Sequence, residues 1–402
     1  MLDVKAKAKE AKDKKAKFGI DIDLNEFSSE TESKEYLEDL NAMPQDDKER
    51  IIMAGVDISE KDRAGTFIQE DTDVVHIGLK QEGLELISIK DALDRYDWLQ
   101  DYYWKMVAPD IDKYTAEVAT NLHNGYLIRA LPGKKVLFPV QSCLYIKKDR
   151  MNQNVHNIVI AEEDSEIHII TGCATSSHVT TGLHIGVTEF YVKKNAKLSY
   201  TMIHLWGKDV MVRTRSAGTV DKGGLFLNNY ICLSPVKSVQ AYPTTYLKGK
   251  GATARYYTIL AGSPGGEMDI GGRVVLQETD THAEIISRTI TNGGNIAARG
   301  DLIGEVPGVK AHLECSGLIL NGGTMHAVPE LTGKTEGVEM SHEASVGKIA
   351  QDEILYLMSR GLSEDEAVSA IVRGFLNVDI PDLPAELKAE IDHAIELSKN
   401  GL

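Results

Sequence analysis

This sequence predicts a mainly β chain, a stack of coils with helices at both ends, and three observations carry that expectation. Between about residues 119 and 347, runs rich in Val, Ile, Thr and Tyr alternate with short polar breaks, a texture of strands and turns. The breaks fall near residues 163, 194, 222, 249, 279 and 307. That is a period of roughly 28 residues, within the range of stacked repeats whose coils bury their apolar faces only against one another. A parallel β-helix answers to this pattern. A sandwich with regular hairpins would place turns at the same breaks.

The first zone, residues 1–118, reads as a helical region. Lys5 to Lys17 is a polar helix or an arm, and the spaced apolar residues Tyr36, Leu37, Leu40, Ile51 and Ile52 suggest further helices. The aromatic cluster from Tyr96 to Trp104 is expected to pack a helix onto the next zone. The β core follows over 119–347. Its texture is repeated at Ile158-Val159-Ile160 with Ile167-His168-Ile169-Ile170, and again at Val274-Val275-Leu276 with Ala283-Glu284-Ile285-Ile286. Residues 348–402 form a helical domain. Its first apolar stripe (Ile354, Leu355, Leu357, Met358) stops at Arg360-Gly361, and Ser363-Glu364-Asp365-Glu366 is a capping box for a second helix. A third helix is expected from about Ala385 to Lys399.

Bulk properties exclude several function classes. The formal net charge of -16 argues against non-specific nucleic-acid binding. No apolar run has the length of a membrane span, and the Lys- and Ala-rich first residues are no signal peptide. Four scattered cysteines (Cys143, Cys173, Cys232, Cys315) without a Cys-x-x-Cys pair fit a reducing compartment, so a cytoplasmic location is expected. Gly333-Lys334-Thr335 lacks the Gly that a phosphate-binding loop needs five positions earlier, where Val328 stands. A carbohydrate-active β-helix enzyme would be expected to carry a carboxylate pair and an export signal, and neither is evident.

Two segments concentrate ligand chemistry: His312-Leu313-Glu314-Cys315 and Ser341-His342-Glu343-Ala344. Thiolate, imidazole and carboxylate are the usual protein ligands for iron and zinc. His342 and Glu343 follow Cys315 by about one coil period, so stacking brings the segments together. Adjacent strand residues point to opposite faces, so His342 and Glu343 share a pocket only at a strand end, a bulge or an interface. Cys173 precedes His178 and His184, and a neighbouring imidazole can activate a thiol. Cys143 and Cys232 read as core.

The residues from about Tyr96 onward resemble the SufB/SufD scaffold proteins of iron–sulfur cluster assembly. The likeness is carried by Gly172-Cys173-Ala174, Leu183-His184, Trp206, Glu314-Cys315-Ser316 and Leu318-Ile319-Leu320. It is strongest over Met340 to Ile349 and Leu355 to Leu362. The resemblance implies a parallel β-helix core between helical ends and a scaffold that is not itself an enzyme. It further implies a nascent iron–sulfur cluster (4Fe-4S or 2Fe-2S) assembled at a dimer interface of the β-helix and passed to apo-proteins. A sulfur donor and a SufC-type ABC ATPase on the C-terminal helices complete the implied partners. Flavin is compatible with this setting and supported by no residue pattern. By position, Cys173 matches the residue that accepts sulfur, and His184 and Trp206 match its transfer path. Cys315, His342 and Glu343 match the cluster site. Cys315 and Glu343 look like SufB, whereas Ser341-His342 looks like SufD. That mixture suggests one ancestral-type chain acting as a homodimer. The alternative is a SufD-like structural subunit that supports a separate SufB and binds no cluster.

Overall fold

A computed structural model describes residues 2–376. Two ten-stranded sheets face each other, and successive strands from Val140 onward alternate between them, apart from the short pair Ser238–Ala241 and Thr244–Leu247, which share one sheet. Neighbours within a sheet are therefore one coil apart and run parallel, as in the pairings of His282–Thr291 with Lys310–Ile319 and of Glu267–Leu276 with Asn295–Gly304. This is a β-solenoid of about 8 turns, and the hairpin alternative is set aside by the parallel ladders.

The predicted period has a local cause. One corner of each coil turns through a left-handed residue: Asp164, Asn195, Gly223, Gly251, Asp280, Gly308 and Gly337, with φ between 55° and 77°. Only Gly, Asn and Asp enter that region readily, so every coil needs one of them at the same place. These corners stack. The Asp164 N–H donates to the Lys194 carbonyl, Asn195 to Lys222, and Gly223 to Lys250, at 2.8–3.0 Å.

Inside, alternate residues of both sheets form one continuous apolar core reaching from Ala64 and Phe67 to Leu313 and Cys315. The outer faces are covered by the chain ends. Residues of the aromatic segment and the helix Lys113–Thr120 pack on Leu183, Ile185, Val187 and Tyr191. Tyr102 meets Tyr191 edge-on at 4.7 Å, and Tyr103 stacks on His156 at 4.5 Å. A buried anchor fixes this segment: Glu189 accepts backbone N–H bonds from Trp104, Met106 and Val107 and lies 2.9 Å from His156 Nε2.

The first 118 residues carry the expected helices, Leu2–Glu10, Gln45–Met53, Ile89–Arg95 and Lys113–Thr120. They also carry three strands that composition did not reveal, Gly65–Glu70, Asp73–Leu79 and Leu84–Ser88. Gly65–Glu70 pairs in parallel with Val140–Ile146, so the sheets begin well before residue 119.

At the other end, helix Gln351–Ser359 stops at Gly361 (φ 101°), with the Leu362 N–H donating to the Leu357 carbonyl. Ser363 and Glu366 exchange the bonds of a capping box and open helix Glu364–Leu376. That helix lays Val368, Val372, Phe375 and Leu376 on the outer face of one sheet, against Ile231, Tyr257 and Ile290. The expected third helix lies outside the described residues.

Candidate functional site

The solenoid ends in two open edges. Among the described residues, Thr324–Gly333 and Glu339–Gly347 are the last strands of their sheets and pair on one side only. Every residue from Ser341 to Lys348 is exposed. Cys315 lies one coil below, buried at 2% exposure.

Register decides which side chains share a face. Leu313 pairs with His342, Glu314 with Glu343, and Cys315 with Ala344. Paired residues of parallel strands point the same way. Leu313 and Cys315 belong to the interior, so His342 is on the inward face with them. Glu343 is on the outward face with Glu314. The structure places Cys315 and His342 diagonally on one face of adjacent strands and Glu343 on the opposite face. Among the described residues, no group of three His, Cys, Asp or Glu side chains is placed to hold a metal ion.

The local electrostatics differ on the two faces. Burial raises the Cys315 thiol, a hydrogen bond with Ser287 opposes this, and the Glu314 charge adds to it; the net shift is upward. Glu314 is partly desolvated, which raises its carboxyl, but the Arg288 ion pair at 2.5 Å outweighs this and holds it below the usual carboxylate range. Glu343, in register with Glu314 on the next strand, is exposed.

The second group, Cys173, His184 and Trp206, is interior. Cys173 is fully buried and faces the core, and burial pushes its thiol well above the ordinary value. His184 is hydrogen-bonded through Nδ1 to Gln153 Oε1 at 2.9 Å. The Gln153 amide nitrogen donates to the carbonyls of Asp71 and Tyr145, so its oxygen is the acceptor and His184 carries its proton on Nδ1. Burial lowers the His184 pKa to about 3, so the ring is neutral. Its ring lies 5.2 Å from that of Trp206, which is also 5.2 Å from the ring of His204.

The imidazole in register with Cys173 is His204, on the next strand. His178 turns away, bonding Ser176 and the Lys147 carbonyl. The coil period was the available signal, since His204 occupies the Cys173 position one coil on. Of the two cysteines read as core, Cys143 is on an outer face under the segment around Leu40, Met43 and Ile51. Cys232 is in the interior, in register with His204.

The structure is thus a β-solenoid whose interior holds buried thiols and imidazoles kept neutral by burial, with Cys315 and His342 on the inward face near its last strands. Comparison with known proteins makes this specific. Residues 144–375 match the family described as SUF system FeS cluster assembly, SufBD core domain. An "Iron-sulfur cluster assembly SufBD family protein" of Archaeoglobus fulgidus is 51% identical over 357 residues, 89% of this chain and 96% of the relative. One of Methanothermobacter thermautotrophicus is 47% identical over 408 residues, covering 100% and 99%. The "Iron-sulfur cluster assembly protein SufB" of Bacillus subtilis is 27% identical over 371 residues, 89% and 79%. The chain belongs to the SufBD family of SUF-system iron–sulfur cluster assembly. No helix of the described residues is long and apolar enough to cross a membrane.

Proposed function

We propose that this chain is the scaffold subunit of a SUF-type complex and builds a nascent iron–sulfur cluster where two copies meet end to end. The open C-terminal edge of the solenoid carries this reading. Unpaired edge strands are templates for pairing with another chain, and folded proteins seldom leave two of them bare. Here they sit over Cys315 and carry His342 and Glu343. A twofold contact doubles each of them, completing a donor set that one chain leaves incomplete. Cys315 and His342 supply the inward ligands, with Glu343 on the outer face. Mixed thiolate, imidazole and carboxylate ligation holds a cluster less firmly than four thiolates, which suits a cargo to be passed on to apo-proteins.

In this reading sulfur from a donor enters at Cys173 and moves past His184 and Trp206 through the interior. An ABC-type ATPase docks on the C-terminal helices and drives the cycle. Helix Gln351–Ser359 presents Leu355, Tyr356 and Met358 to solvent at 51%, 59% and 37% exposure, an apolar surface that favours a partner there.

The test is anaerobic reconstitution with ferrous iron and sulfide, followed by absorption and Mössbauer spectra. A cluster is expected in the unmodified chain and lost in Cys315→Ala and in His342→Ala. An unchanged spectrum in both variants would refute the site. No cluster in any form would favour the SufD-like supporting role.

A further inference from the structure

Three of the four cysteines lie in the interior, and two of these, Cys173 and Cys232, occupy the same inward row. Register sets Cys173 opposite His204, and His204 opposite Cys232, on three successive strands. The two thiols are therefore two strand spacings apart, roughly 9–10 Å between Cα atoms. That exceeds the ~7 Å limit for a disulfide, so the pair cannot close on itself. A persulfide lengthens the donor by one further S–S bond of ~2 Å towards its neighbour.

The residues around this pair form a connected polar set. Tyr230 and His204 Nδ1 are hydrogen-bonded at 2.7 Å. Tyr230 and Cys232 stand two residues apart on one strand and so face the same way. His204 is 2% exposed, yet among the described residues its Nε2 has no partner, and neither has the Trp206 indole nitrogen. A buried ring nitrogen without a partner is costly unless something visits it.

Beside the apolar core, one row of polar residues starts at Tyr230 and runs towards the last strands. Tyr230, Thr258, Ser287 and Cys315 follow one another in register on successive strands. A cavity of about 40 Å³ lies against Tyr230, Thr258 and Met202.

We infer that Cys232 is a second sulfur-carrying thiol, receiving sulfur from Cys173 with His204 and Tyr230 as the proton route between them. The inference rests on the reading of Cys173 as the sulfur acceptor. Cys232 sulfur attacks the terminal sulfur of the Cys173 persulfide. One S–S bond forms at Cys232 and the S–S bond at Cys173 breaks. The Cys232 thiol proton passes to the Tyr230 oxygen, the Tyr230 proton to His204 Nδ1, and the His204 Nε2 proton to the departing Cys173 sulfur. The step is redox-neutral and needs no further reactant.

The experiment loads the full-length chain anaerobically with glutathione persulfide. Sulfur on each cysteine is then followed over time by alkylation and peptide mass spectrometry. In the unmodified chain, Cys173 gains sulfur first, then Cys232, then Cys315. In Cys232→Ala and Cys232→Ser, Cys173 loads normally and arrival at Cys315 slows at least tenfold. Cys143→Ala, on the outer face, changes nothing. His204→Gln slows the Cys173-to-Cys232 step and alters its pH profile while leaving Cys173 loading intact. Two variants at position 232, both checked for unchanged thermal midpoints, guard against a folding defect. Sulfur reaching Cys315 at the unmodified rate in both, or never appearing on Cys232, overturns the inference. Failure of the underlying reading looks different: Cys173 would not load in the unmodified chain, or Cys173→Ala would leave Cys315 loading unchanged.

Discussion

His184 should make this fold acid-sensitive by an amount that can be worked out. Its folded pKa is about 3, against an ordinary 6.5, because burial disfavours the imidazolium. Below pH 6.5 the unfolded chain binds a proton that the folded chain refuses, so stability falls as pH falls. The slope approaches about 1.4 kcal/mol per pH unit for one such group, and persists until the folded pKa is reached. By about pH 5 the accumulated loss is about 2 kcal/mol. His184→Gln is the informative variant. Its amide can still donate to Gln153 Oε1, where His184 donates now, but it does not titrate. Urea unfolding of both chains at about pH 7.5 and about pH 5 isolates the term, and the unmodified chain should lose about 2 kcal/mol more. His123, whose pKa is also lowered by burial, contributes to both chains and cancels in the difference; His204, lowered by burial and further by His184, adds a smaller difference of its own. Equal losses in the two chains would show that His184 is already protonated or not buried, and would refute the argument.

Other perturbations have equally definite outcomes. Glu189→Gln leaves His156 without its carboxylate and weakens three backbone bonds, so a loss of about 3–5 kcal/mol is expected, with early proteolytic cleavage between residues 96 and 107. Gly249→Ala sets a Cβ 1.9 Å from the Lys222 backbone nitrogen, and the thermal midpoint should fall by an amount equivalent to at least about 1–3 kcal/mol. Ala344→Pro removes an edge-strand N–H; sedimentation should show a dimer for the unmodified chain and a folded monomer for the variant. In iron titrations Glu343→Gln should retain more iron than His342→Ala, because only His342 shares the face of Cys315; equal losses would contradict that division.

The solenoid was legible because its corners require Gly, Asn or Asp at fixed spacing, and such residues stand out among Val, Ile and Tyr. The strands Gly65–Glu70, Asp73–Leu79 and Leu84–Ser88 were not legible, since two of the pairings there are antiparallel and lie outside the repeat. Cys315 and His342 could be linked by the period, and the same arithmetic would have found His204 beside Cys173. Composition hid the character of Cys232. Its chain neighbours, Ile231 and Leu233, are apolar, but they point outward to the C-terminal helix, whereas Cys232 points inward to His204 and Tyr230. Alternation in a strand makes chain neighbours poor guides to a side chain's surroundings.

The same alternation frames the remaining problem at the open edge. A second solenoid paired to Glu339–Gly347 extends the sheet but leaves its two faces distinct. His342 then stays inside with Cys315, and Glu343 stays outside with Glu314. Bringing Glu343 to the inward ligands takes a local break in the pleat, for which a bulge is the ordinary device. Elsewhere in the stack such a break disrupts ladders on both sides of the strand. At this edge it disrupts one. On the proposed reading, the ligands His342 and Glu343 would sit on the strand where rearrangement is least costly, one coil above a buried thiol held by the full stack. In such a dimer, a rigid donor beneath a deformable one would let two chains grip a cluster when paired and loosen it when the edge relaxes, without disturbing the core below.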